Sequence, residues 1–67
     1  MRYHIIITFK NEKPSDSDKD HGRQYALDVD ADKRADALQQ GQREAQLIKG
    51  NLRDTWFLEQ ITVAPVK

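Results

Sequence analysis

Tyr3-His4-Ile5-Ile6-Ile7-Thr8-Phe9 is the stretch on which the fold turns. β-branched and aromatic side chains crowd it, as they do in strands. Successive strand residues point to opposite faces. Tyr3, Ile5, Ile7 and Phe9 therefore share one face, and His4, Ile6, Thr8 and Lys10 share the other. Only the first set is fully apolar, so it is the set expected to face a core. This strand is placed at about residues 2–10.

Downstream, residues 11–22 carry turn chemistry. Pro14, Gly22 and a series of Asp and Ser residues bond their own backbone or restrict it, which favours a loop. A dozen residues is long for a hairpin connection, and long loops are often functional. A second strand follows at about 23–29, where Tyr25, Leu27 and Val29 alternate with Gln24, Ala26 and Asp28. A helix is expected over about 31–49, capped at its start by Asp30 or Asp32. Ala31, Ala35, Leu38, Gly41, Ala45 and Ile48 recur at spacings of three and four and make a narrow stripe of mostly small side chains. Gly41 in mid-helix costs about 1 kcal/mol against alanine, so a close helix–sheet approach is expected there. Gly50 or Asn51 is expected to end the helix in the left-handed conformation.

The last strand is placed at about 55–64, ended by Pro65. Alternation puts Phe57, Glu59, Ile61 and Val63 on one face, and Trp56, Leu58, Gln60, Thr62 and Ala64 on the other. Both faces carry large apolar groups, so a bulge is a way to re-aim part of the strand. The order is β-β-α-β. The fold class is α+β: a three-stranded antiparallel sheet in the order 2-1-3 with one helix packed on one face.

Composition bounds the rest. The chain has 67 residues, formal net charge +0 and no cysteine. That length suits a single small domain. A disulfide scaffold and a cysteine-based zinc site are excluded. No apolar run approaches the roughly 18 residues of a membrane span, and the opening apolar segment is short for a signal peptide. A cytoplasmic protein is expected. The charge is mildly polarised: residues 1–15 sum to +2, residues 16–36 to −3 and residues 37–67 to +1. Lys10, Arg23, Arg34, Arg43, Lys49 and Arg53 form a basic patch only if the fold gathers them. A zero net balance argues against a nucleic-acid binder.

Chemistry-bearing motifs are scarce. Asp16, Ser17, Asp18, Lys19, Asp20, His21 and Gly22 resemble a calcium loop in their alternating carboxylates. The glycine comes one residue late, however, and Leu27 stands where a bidentate Glu is needed, so a solvated polar loop explains the run. His4 and His21 have no partner at metal-ligand spacing. Ser15 and Ser17 lie in the loop, where catalytic geometry is not held. No catalytic residue, metal or cofactor is expected, and the protein is read as a non-enzyme. Gln39, Gln40, Gln42 and Gln46 give the helix a face that is either solvated or a hydrogen-bonding interface. Asp28, Asp30, Asp32 and Asp36 are explained by capping and the helix dipole.

One helix shelters only one face of the sheet. The other is expected to carry Ile6, Trp56 and Leu58 among polar neighbours, and burying such groups is worth roughly 1.5–3 kcal/mol each. Trp56, Leu58, Ile6 and Arg53 are therefore the candidate partner-binding residues, with the 11–22 loop contributing. In outline, the opening strand Tyr3–Phe9, the polar 11–22 loop, the aspartate-capped helix and the closing strand 55–64 resemble small proteins of phages and mobile elements, including some anti-CRISPR inhibitors. The resemblance implies inhibition by binding and carries over no residue. The expected function is a non-enzymatic protein-binding module, a phage-type inhibitor or regulator that occupies a surface of a larger complex. The alternatives are a small homodimeric structural subunit and a weak nucleic-acid-binding accessory protein.

Overall fold

The computed structural model describes residues 1–13 and 21–66. Its elements are β1 (Arg2–Asn11), β2 (Gly22–Asp30), α1 (Arg34–Lys49) and β3 (Trp56–Pro65). The three strands form one antiparallel sheet in the order β2-β1-β3. The expected α+β architecture and strand order are thus observed. β1 is the central strand. Tyr3, Ile5, Ile7 and Phe9 are all buried, whereas His4 and Lys10 are exposed.

β2 pairs with β1 in unbroken register from Arg2 opposite Asp30 to Lys10 opposite Gly22. β3 does not. Val63 lies opposite Ile5 and Ile61 opposite Ile7, but the register shifts between Thr8 and Phe9. Thr8 faces Gln60 and Lys10 faces Phe57, so Leu58 and Glu59 together oppose the single residue Phe9. This is a β-bulge, and an extra residue reverses the facing of everything beyond it. Trp56 comes to lie opposite Asn11 on the helix side of the sheet, and Phe57 moves to the face of Lys10. Simple alternation had assigned both residues to the reverse faces. Trp56 is 2% exposed and belongs to the core. The guanidinium Cζ of Arg23 lies 4.9 Å from the centroid of the indole, and Phe9 and Tyr25 stack edge-to-face beside them with centroids 6.0 Å apart.

The helix begins later than the sequence suggests. Lys33 is its N-cap, with no side-chain capping bond, so neither Asp30 nor Asp32 caps it. Asp30 instead completes β2, and its paired position holds it extended. At the other end Gly50 is right-handed, with φ −61° and ψ −21°. The chain leaves through successive turn bonds, Asn51 N–H to the Ile48 carbonyl and Leu52 N–H to the Lys49 carbonyl, so no left-handed residue is needed.

The buried helix row is Ala37, Gly41 and Ala45. Ala35, placed in the stripe by spacing, is exposed. Two three-residue steps carry it about 120° round from Gly41, whereas one four-residue step carries Ala37 only about 40°. The row of small residues lets the helix sit close to the sheet. A Cβ on Gly41 would stand 3.1 Å from Cγ2 of Ile5 and 3.5 Å from Cγ2 of Ile61.

Two predictions follow from this packing. Trp56→Ala should cost about 3–5 kcal/mol. That is comparable with the whole stability of a domain this small, so urea unfolding should find the variant largely unfolded in buffer. Gly41 inside the helix and Gly50 at its C-cap should respond with opposite sign. Gly41→Ala should destabilise by about 1 kcal/mol, because buried Ile5 has nowhere to retreat and overpacking outweighs the helix-propensity gain. Gly50→Ala should stabilise by about 0.5 kcal/mol, since its neighbours stand no closer than 3.5 Å and its conformation suits any residue.

Candidate functional site

With Trp56 in the core, the uncovered sheet face is polar apart from Ile6 and Phe57. His4 Nδ1 and Asp28 Oδ1 are 2.7 Å apart across β1 and β2. Arg2 pairs with Asp30 at 3.6 Å, and Lys10 with Glu59 at 3.1 Å. Gln60 Nε2 donates to Thr62 Oγ1. Ile6 is half-buried between Ala26 and Thr62, its cross-strand neighbours, and so is absorbed by a polar, small-residue surround. The three charged pairs bridge neighbouring strands and the Gln60–Thr62 bond lies within β3, as suits a water-facing antiparallel face.

The four sequence-chosen residues do not come together. Trp56 is core. Ile6 is on the open face. Arg53 is exposed in the turn before β3, where its carbonyl accepts the Trp56 N–H. Leu58 alone of the four lies in an exposed apolar setting. It is 44% exposed, and its neighbour Phe57 is 40% exposed. Both border a groove of about 500 Å³ whose other wall is the helix row Gln42, Ala45, Gln46 and Lys49. Spacings of three and four put those helix residues on one face. Half of the glutamine-rich helical face thus lines an apolar groove. Phe57 was missed by sequence reasoning because alternation sent it inward. The signal available was the run Trp56-Phe57-Leu58, which strict alternation cannot place without leaving large apolar groups on both faces.

A second concavity, of about 450 Å³, lies at the start of the helix. Met1, Asp30, Ala31, Asp32, Asp36, Gln39, Gln40 and Arg43 line it. Its carboxylates do not converge: among the described residues no group of three or more His, Cys, Asp or Glu is placed to hold a metal ion. The alternating carboxylates Asp16, Asp18 and Asp20 lie outside the described residues. Among the described residues no helix is long and apolar enough to cross a membrane.

The exposed ion pairs should matter little to stability. Asp28→Asn should shift the unfolding free energy by less than about 1 kcal/mol, because both partners of the His4 pair are half-exposed to water; a larger loss in urea titration would mean that the pair organises the open face. No family model, no curated protein and no solved structure matches the chain.

Proposed function

We propose that this protein is a non-enzymatic protein-binding module, and that its contact surface is the groove between β3 and the C-terminal half of α1. The observation that carries the reading is the adjacent pair Phe57 and Leu58, large apolar side chains left exposed within a strand and not at a fraying terminus. A chain this small has little apolar area to spare, so apolar side chains left in water beside a groove are an affinity determinant in waiting. Ala45 supplies a flat apolar floor, and Gln42, Gln46 and Lys49 supply polar contacts round it, the core-and-rim arrangement of protein interfaces. In this reading the partner is a larger complex whose surface the module occupies. That is the inhibitor or regulator role implied by the outline resemblance to small phage and mobile-element proteins. Leu58 keeps the role assigned from sequence, Phe57 replaces Trp56, and Arg53, in the turn leading into β3, remains a candidate contact.

Leu58→Asp tests the reading. Affinity capture from the native host with the wild-type chain should retain a specific protein, and Leu58→Asp should lose it by at least tenfold in affinity, about 1.4 kcal/mol. Thermal unfolding should move little, since the side chain is exposed. Retention of the same protein by both chains, or of none by the wild type, would reject the groove as the contact surface.

A further inference from the structure

The sheet has two outer edges, and they are built differently. Their backbone orientation follows from the bonds flanking each ladder. Ala31 N–H donates to the Met1 carbonyl, and Asn11 N–H donates to the His21 carbonyl. Hydrogen-bonded pairs recur every second residue in an antiparallel ladder. Arg23, Tyr25, Leu27 and Val29 therefore turn their backbone groups toward β1. Gly22, Gln24, Ala26, Asp28 and Asp30 turn theirs outward. On β3, Val66 N–H donates to the Arg2 carbonyl, so Ile61, Val63 and Pro65 face outward. That edge is interrupted: Pro65 has no N–H to give, and the Leu58–Glu59 bulge breaks the line, both recognised protections of a free edge. β2 has neither proline, lysine nor bulge, and its register is regular over its whole length. On the helix side, Tyr25, Leu27 and Val29 are only half-buried, because α1 lies mainly over β1 and β3.

We propose that the outer edge of β2 pairs with β2 of a second copy of this chain, antiparallel about a two-fold axis at Ala26, giving a continuous six-stranded sheet. The sequence of β2 suits this self-match. With Ala26 opposite Ala26, Gln24 lies opposite Asp28 of the second copy, Gly22 opposite Asp30, Arg23 opposite Val29 and Tyr25 opposite Leu27. Every charged residue meets a neutral one, and the small Ala26 sits at the axis where identical side chains must face each other. A shift that puts Asp28 on the axis would oppose two carboxylates. Tyr25 and Leu27 of the two copies meet on the helix side and cover each other where α1 leaves them half-exposed. Among the described residues Gln40 engages this edge, its Nε2 reaching the Asp30 carbonyl at 3.4 Å. That oxygen retains a second lone pair, and the central pairs from Gln24 to Asp28 do not involve it. An isologous strand pairing of this kind closes on itself and does not propagate.

Sedimentation velocity across a dilution series of the full chain tests the proposal. The wild type should move from 7.8 kDa to twice that mass as concentration rises. Ala26→Lys places two ammonium groups face to face at the axis and should raise the dimer dissociation constant by at least about tenfold. Gln24→Lys adds the same charge but sets it opposite Asp28 of the second copy, so it should tighten the dimer. Both positions are exposed in the single chain, and circular dichroism should show both variants folded. Leu58→Asp should leave the dimer intact, which separates this edge from the groove across the sheet. A wild-type chain that stays at 7.8 kDa at every concentration overturns the proposal. So does a dimer indifferent to Ala26→Lys, or one dissolved by Leu58→Asp.

Discussion

One extra residue in β3 governs which side chains this protein hides and which it shows. Leu58 and Glu59 share the place opposite Phe9, and the strand beyond them is turned over. The indole of Trp56 is thereby delivered to the helix side, under the Arg23 guanidinium and in the same core cluster as Phe9, with Tyr25 packed against that cluster. Glu59 reaches Lys10, and Phe57 and Leu58 are left at the rim of a groove. Without the bulge, Trp56 and Leu58 would sit in water on the open face. For a domain with so small a core, an exposed tryptophan would forfeit one of its largest hydrophobic contributions.

The helix imposes the second constraint. Its buried row of Ala37, Gly41 and Ala45 offers almost no side-chain volume, so the apolar bulk comes from the sheet and the two layers lie close together. Closeness is obtained over a narrow strip. β1 and β3 lie under it, while β2 is left at the margin with its apolar residues half-covered. The same economy that makes a small domain feasible leaves surfaces incompletely closed, a groove beside β3 and an edge along β2 that carries no proline, lysine or bulge. The functional proposal and the pairing proposal each use one of these surfaces and none of the same residues.

The candidate site was legible only in part. Alternation puts Leu58 on the open face; it is exposed, but the bulge sets it opposite Phe9 on the helix side. Phe57 was not chosen, and Trp56 was, because alternation was carried through the strand at a constant step. A bulge is decided by how the partner strand is filled, here by Phe9 accommodating two residues, and that information is long-range. Ile6 was assigned correctly to the open face, but its surroundings there, Ala26 and Thr62, come from register with two other strands.

What the sequence by itself determined is the set of elements and their order. Local forces decide these: β-branched runs favour strands, turn residues break them, and a helical spacing with small residues marks the packed side. The connection rules then placed β1 between the other two strands, in the order 2-1-3. The tertiary structure alone decided the facing of β3, the late start of the helix at Arg34 and the right-handed exit at Gly50. The first two are contests between a local preference and a partner elsewhere in the chain, whereas the exit at Gly50 is completed by turn bonds among neighbouring residues. Asp30 can cap a helix or finish a strand, and pairing with Arg2 decides for the strand. The physical reason is common to the facing of β3 and the start of the helix: the free energy that settles them comes from contacts between residues distant in sequence, which no local pattern contains.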